Sequence, residues 1–307
     1  MRHDVEFRTE DGTLLRGYLH AGEDPAPGIV MCHGFSGVKE QIDHYAAVFA
    51  TAGYSVLVYD HRGFGDSDGT PRLEVDPYRQ IADWRDAISF AASRPEFDPT
   101  GGFGIWGSSF AGGLAIVIAA CEPRVSCVVA QIPHVRGPRN SRQMFSTQER
   151  EQLLPLIAKD REARLAGAAP ATIPVFTSDR TALCALPPAM PADFIAETER
   201  NYPTWRNEVT LRSVAHLMEW DSAGWLVNLA PKPLLMIVGA RDQCTFAEIQ
   251  CEAFELAAGP KRLVVHPGGH FDTYTDHFVQ TSREAREWYR AHLPVSTGSA
   301  REPAAAV

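Results

Sequence analysis

The sequence predicts an α/β fold: a mainly parallel, doubly wound sheet with helices on both faces and one mostly helical insertion. Three observations predict it. Apolar runs of strand length alternate with amphipathic runs of helix length along most of the 307 residues, which is the pattern of βα units. The segment Gly101-Gly-Phe-Gly-Ile-Trp-Gly-Ser-Ser-Phe-Ala-Gly-Gly113 passes from an apolar strand through a small-residue turn into an apolar helix. Residues 135–215 break the alternation over a length that no plain loop reaches.

Each element has its own signal. Residues 5–9 and 13–19 alternate around Asp11-Gly12, which predicts a hairpin. A strand over 27–32 follows, then a helix near 39–52 with Ile42, Tyr45 and Phe49 on one face. A strand over 54–59 precedes a helix near 77–93, whose stripe is Ile81, Trp84 and Ile88. The strand 102–106 enters the small-residue turn, and the helix 110–121 is apolar all round, as a buried central helix is. Residues 125–131 and 232–238 read as strands, 245–258 as a helix, 262–266 as a strand and 273–293 as a closing amphipathic segment. The small and polar residues of 295–307 predict a disordered tail.

The irregular stretch 135–215 should carry structure of its own. Helices are predicted at 146–166, 191–200 and 208–219, punctuated by Pro170, Pro174, Pro187, Pro188, Pro191 and Pro203. This gives a core of 1–134 and 216–294, a cap over the active site at 135–215 and the tail. Met144, Phe145, Phe176, Met190, Phe194, Met218 and Trp225 supply bulky apolar surface in or beside that stretch. Met144, Phe145 and Met218 are the candidate substrate contacts, together with His134 just after the strand 125–131. Trp205-Arg-Asn-Glu-Val-Thr-Leu-Arg212 either holds the cap closed or binds a polar substrate group; the structural role is favoured.

Composition sets bounds. With 45% hydrophobic and 22% charged residues the chain is an ordinary globular one. A net charge of −9 and the lack of a Lys/Arg cluster argue against nucleic acid and anionic membrane as partners. No run of 18 apolar residues is present, and the start Met1-Arg-His-Asp-Val-Glu-Phe-Arg has no apolar signal-peptide core. The six cysteines show no paired metal spacing and read as reduced, buried residues of a cytoplasmic protein. No metal and no organic cofactor is implied. A small molecule is the expected partner, and a homodimer is compatible with the sequence.

The small-residue turn carries the chemistry. A serine at a sharp strand-to-helix turn needs small residues two before it and two or three after it. Gly107, Ala111 and Gly112 meet that need around Ser109, whereas Ser108 would have Trp106 two before it. A serine hydroxyl is a poor nucleophile unless a base takes its proton and a carboxylate orients that base. Asp242 stands at the tip of the strand 232–238, and His270 lies in the glycine-rich loop after the strand 262–266. His266 competes with His270, but it sits within a strand before Pro267 and reads as structural. Asp272 competes with Asp242, but it lies too close to His270 in sequence.

The order Ser109, Asp242, His270 resembles the α/β-hydrolase superfamily. So do Pro27-Gly-Ile-Val-Met-Cys-His-Gly-Phe-Ser-Gly37 and Asp60-His-Arg-Gly-Phe-Gly-Asp-Ser-Asp-Gly69. The resemblance spans about residues 5 to 293. It implies a serine hydrolase that cleaves an ester, thioester or lactone of a medium-sized apolar substrate through an acyl-enzyme on Ser109. The resemblance also implies an oxyanion hole from the backbone N–H groups of Phe35 and Phe110. His33 is similar to the oxyanion-loop histidine of the superfamily and reads as a backbone-bonded turn residue. Ala111 in place of a second elbow glycine resembles the dienelactone-hydrolase-like and dipeptidyl-peptidase-like esterases, although dienelactone hydrolases proper use cysteine. The stretches 205–212 and Pro267-Gly-Gly-His-Phe-Asp272 look more weakly like relatives of polyketide acyltransferases. An acyltransferase or a C–C bond hydrolase with the same three residues therefore stays open, as does a non-catalytic binding protein on this fold.

Overall fold

The computed structural model describes residues 2–22, 25–98, 100–188 and 190–295. Apart from Val295, the expected disordered tail lies outside the described residues.

In chain order the strands are β1 (Arg2–Arg8), β2 (Leu14–His20), β3 (Gly28–Cys32), β4 (Ser55–Tyr59), β5 (Phe103–Ser108), β6 (Val125–Gln131), β7 (Thr172–Ile173), β8 (Val209–Thr210), β9 (Leu234–Gly239) and β10 (Lys261–His266). Eight of them form one sheet in the order β1-β2-β4-β3-β5-β6-β9-β10. The hairpin β1–β2 pairs antiparallel, as does β2 with β4; every pairing from β4 to β10 is parallel. The predicted sheet is therefore present, with the hairpin at one edge.

The helices are α1 (Asp43–Ala50), α2 (Pro77–Ala92), α3 (Phe110–Cys121), α4 (Gly137–Met144), α5 (Thr147–Leu165), α6 (Ala192–Asn201), α7 (Leu211–Glu219), α8 (Ala247–Glu255) and α9 (Phe278–His292). The parallel strands are buried on both faces, and their residues alternate between two cores. Val30, Leu57, Ile105, Met236 and Val238 face α2, α3 and α8, through Trp84, Ile88, Leu114 and Ile249. Ile29, Met31, Val56, Val58, Trp106 and Ile237 face α1 and α9, through Tyr45, Phe49 and Tyr289. Each such fully buried aliphatic side chain contributes roughly 1.5–3 kcal/mol of transfer free energy.

Several boundaries differ from those expected. The helix expected near 39–52 is a short 3-10 turn, Lys39–Gln41, followed by α1. The segment expected over 273–293 is a 3-10 turn, Phe271–Tyr274, and then α9. Both breaks arise where backbone and side chains are tied down elsewhere, Lys39 to Asp60 and Thr273 to Tyr45. The helix α4 had no sequence signal because it opens on Gly137-Pro138, which reads as a breaker. Its Pro falls within the first turn, where no N–H is needed.

The stretch between β6 and β9 carries α4 to α7 and the small ladder β7–β8. The boundary expected at residue 215 falls inside α7. This helix is tied to the loop before α2. Glu74, buried, pairs with Arg164 of α5 at 3.0 Å and with Arg212 of α7. Ser213 Oγ accepts the Val75 N–H at 2.8 Å. Arg212 thus has the structural role anticipated for its segment.

Candidate active site

Ser109 stands between β5 and α3 with φ +58° and ψ −120°. A non-glycine residue in that region is strained and persists only where its surroundings over-determine it. Here they do. The Ser109 N–H donates to Gln131 O at 2.8 Å, and Ser109 O accepts from the His134 N–H at 2.9 Å. A Cβ on Gly107 would lie 2.2 Å from Ala111 O, so only glycine fits two residues before the serine. Ser108 is fully buried, and its Oγ is hydrogen-bonded to Tyr274 Oη at 2.6 Å. Ser109 is the half-buried one, and it lines a cavity.

His270 Nε2 lies 3.0 Å from Ser109 Oγ, and His270 Nδ1 lies 2.8 Å from Asp242 Oδ2. Asp242 also accepts the N–H groups of Cys244 and Thr245, both at 2.8 Å, and the Thr245 hydroxyl at 2.7 Å. Burial pushes the Asp242 carboxyl up, but His270 and these hydrogen bonds outweigh it and hold the pKa at about 2. The ionised carboxylate therefore accepts a hydrogen bond from Nδ1–H, which leaves Nε2 as an acceptor for the serine hydroxyl. Such a chain can activate a hydroxyl for attack. Asp272 is engaged elsewhere, with Oδ2 accepting the Gly269 N–H at 2.8 Å.

The loop after β3 lies against the serine. A Cβ built on Gly34 would sit 2.9 Å from Ser109 Cβ, and the rings of Phe35 and Phe110 pack edge to face at 6.0 Å. Among the described residues, neither the Phe35 N–H nor the Phe110 N–H donates a hydrogen bond. Two free amides beside the serine suit a developing oxyanion. His33 is bonded to backbone on both sides: its Nε2 accepts the His61 N–H at 3.1 Å and its Nδ1 meets Gly34 O at 3.0 Å. Burial lowers its pKa to about 4, which keeps it neutral. Asp60 anchors the same loop, accepting the Lys39 N–H at 2.7 Å and the Lys39 ammonium at 2.8 Å.

The cavity holding Ser109 and His270 has a volume of about 310 Å³. Its apolar walls are Phe35, Phe176, Leu186, Phe194, Trp205 and Phe271, and Glu197 and Asn201 of α6 stand on its exposed rim. The structure corrects the expected substrate contacts. His134, Met144, Phe145 and Met218 do not line this cavity. His134 is buried, with Nε2 bonded to Leu217 O at 2.8 Å. Phe145 is 1% exposed in the core that α4 and α7 share with the sheet. Met144 borders a different cleft, beside Gln243 and Phe246, and Met218 packs partly buried on the core. Trp225 is 39% exposed, away from the cavity. Trp205 was singled out with its charged segment, yet it is buried and lines the cavity. Phe271 and Leu186 were missed: an apolar residue beside His270 carries no signal of its own.

Sheet and site together define an α/β hydrolase. A family profile described as X-Pro dipeptidyl-peptidase (S15 family) matches residues 13–272, and the chain belongs to this family. Thiohydrolase aneE of Aspergillus aculeatus is 32% identical over 271 residues, covering 85% of this chain and 83% of its own. Polyketide transferase ATR5 of Stachybotrys chlorohalonatus is 31% identical over 275 residues, covering 86% and 88%. The solved structure of DcsB in complex with its substrate analogue superposes with a TM-score of 0.84 at 27% identity, covering 95% of this chain and 99% of that one. The protein is thus an enzyme with hydrolytic or acyl-transfer activity, as the esterase-type resemblance implied. Among the described residues no helix is long and apolar enough to cross a membrane.

Proposed function

We propose that Ser109 is the nucleophile, His270 the general base and Asp242 its orienting acid, and that the enzyme cleaves a thioester or ester of an apolar acyl group. One observation carries the reading: the unbroken chain Ser109–His270–Asp242, at 3.0 and 2.8 Å, opens into an aromatic cavity beside two free amides. Ser109 Oγ attacks the carbonyl carbon as its proton passes to His270 Nε2. The N–H groups of Phe35 and Phe110 hold the oxyanion, each worth roughly 3–4 kcal/mol in the transition state. His270 then returns the proton to the leaving thiol or alcohol, and an acyl-Ser109 ester remains. Water activated by His270 releases the acid; an alcohol in its place would give an ester or a lactone.

Thioester cleavage is favoured by the thiohydrolase relatives, and transfer to an alcohol by the polyketide transferase relatives. The apolar walls suit either acyl group. The two outcomes differ only in the second nucleophile. The test is a panel of acyl thioesters, p-nitrophenyl esters and lactones, assayed with and without added alcohols, with fluorophosphonate labelling of Ser109 as the readout of activation. A wild-type enzyme that takes up no fluorophosphonate would overturn the reading. We also place the enzyme in a reducing compartment such as the cytoplasm, because all six cysteines are unpaired.

A further inference from the structure

We propose that His266 is a positioning residue for the reaction: its imidazole staples the loop that carries His270. The inference rests on His270 being the base, a reading that His270→Ala tests separately through loss of fluorophosphonate labelling.

His266 is the last residue of β10, paired with Gly239 at the end of β9, so it lies where the strands release both the acid loop and the base loop. Its backbone O accepts the Ala240 N–H at 2.8 Å, and Gly268 O accepts the Arg241 N–H at 3.0 Å. These two bonds join the loop of Asp242 to the start of the loop of His270. Beyond Gly268 the sheet pairing ends: the chain runs through Gly268 and Gly269, which give it little stiffness of their own, into the 3-10 turn Phe271–Tyr274, with Asp272 Oδ2 accepting the Gly269 N–H at 2.8 Å.

The ring of His266 adds the restraint that spans the loop. Its Nδ1 accepts the Gly268 N–H at 3.1 Å, and its Nε2 lies 2.8 Å from Thr273 Oγ1. With Nδ1 fixed as acceptor, the neutral ring carries its proton on Nε2 and donates it to Thr273. The Thr273 hydroxyl then donates to Gly269 O at 3.2 Å. One imidazole therefore clamps Gly268, Gly269 and Thr273, the residues on either side of His270. The far end is tied to the core, where Thr273 O accepts from Tyr45 Oη at 2.9 Å. The ring is 0% exposed and packs on His277 at 4.5 Å. Burial, and after it His277, pull its pKa below the ordinary value, which keeps the ring neutral as the clamp requires. Its ring bonds to Gly268 and Thr273 and not to Ser109 or His270, so its role is to hold the His270 Nε2 within reach of Ser109.

A loose base costs rate and not affinity, since an error of about 1 Å can cost on the order of 10²-fold. His266→Leu fills the space of the ring without its polar atoms. It should lower kcat per titrated active site by about 30-fold, leave KM within about twofold, and slow fluorophosphonate labelling of Ser109 by the same factor as kcat. His266→Asn keeps an acceptor near Nδ1 and should recover part of the loss. A folded Leu variant with unchanged kcat per active site overturns the proposal, as does a loss confined to the fraction of active enzyme. If His266→Leu does not fold, Thr273→Val decides. It keeps the shape of the side chain and removes the hydroxyl: a lower kcat at constant KM supports the staple, and an unchanged kcat overturns it.

Discussion

The ring of Phe271, one residue after His270, meets the ring of Phe194 on α6 at 5.3 Å between centroids. Phe176 closes the triangle, 5.6 Å from Phe271 and 5.7 Å from Phe194. One wall of the cavity therefore comes from the loop that sets His270, and the facing walls come from the stretch between β6 and β9. Changes on α6 can reshape the cavity without moving the chain of Ser109, His270 and Asp242.

Phe194→Ala should accordingly change selectivity more than rate. The side chain is half-buried, so the stability cost is modest, about 1 kcal/mol. The ratio of kcat/KM for long against short acyl chains should shift by about 10-fold, since each misfitted methylene is worth roughly 1–3 kcal/mol. Phe145→Ala is the contrast: a core ring away from the cavity, it should cost about 3–5 kcal/mol of stability and leave chain-length preference unchanged. Matched panels of p-nitrophenyl esters and urea melts for both variants check this. A selectivity change in Phe145→Ala alone would reassign the acyl wall.

Ser108 and Ser109 should separate cleanly. Ser109→Ala removes the hydroxyl beside His270 and should lower kcat by about 10⁴-fold or more. Ser108→Ala removes only the bond to Tyr274, so it should keep most activity and lose about 1 kcal/mol of stability. Active-site labelling of both variants is the check; labelling that survives in Ser109→Ala would move the nucleophile.

Much of this was legible in the sequence. The strands announce themselves as runs of Val, Ile and Leu because both faces of a parallel sheet are buried, and Gly107 marks the elbow because no Cβ fits there. The order of Ser109, Asp242 and His270 could be read because each follows a strand. The cavity walls could not. Met144 and Phe145 are as apolar as Phe176 and Phe194, and composition does not say which way a side chain in an irregular stretch points. The contacts that hold this stretch, such as the two-residue ladder β7–β8 and the Glu74 ion pairs, are too short or too distant in sequence to leave a periodic signal. The clamp made by His266 was hidden as well: its partners, the Gly268 N–H and the Thr273 hydroxyl, leave no periodic signal.

The pair of Lys39 and Asp60 offers a test of how the oxyanion loop is held. Both side chains are buried, 2% and 0% exposed, with Nζ 2.8 Å from Oδ2. Asp66 and Glu40 also reach Nζ, at 2.6 and 2.9 Å. Burial opposes the charge on Lys39, yet Asp60 and its neighbours hold its pKa above the ordinary value. Lys39→Met strands the Asp60 carboxylate and should cost about 3–5 kcal/mol. Lys39→Met with Asp60→Asn should cost less than Lys39→Met alone, because no fully buried charge is left unpaired, while Asp66 and Glu40 remain in contact with solvent. Chemical denaturation of the three variants measures this; equal losses in the single and double variants would show that the pair does not couple.

Asp242 gives a pH dependence whose sign follows from its depressed pKa. Its carboxyl sits at about 2 in the fold against an ordinary 3.8, because His270 and Thr245 outweigh the effect of burial. A carboxylate depressed on folding stabilises the protein above its unfolded pKa, and that stabilisation is lost as pH falls through the folded value. The window therefore runs from about pH 4 down to about pH 2, and the contribution is about 2 kcal/mol. Asp242→Asn has no proton to gain there. Its unfolding free energy should lie below that of the wild type at neutral pH, and the gap should narrow by about 2 kcal/mol across the window. At neutral pH the same variant should lose about 10⁴-fold in kcat, because the amide favours the unproductive tautomer of His270. Urea melts from neutral pH to pH 2, paired with kcat at neutral pH, test both parts. Parallel stability curves together with an unchanged kcat would place the orienting acid elsewhere, with Asp272 next to examine.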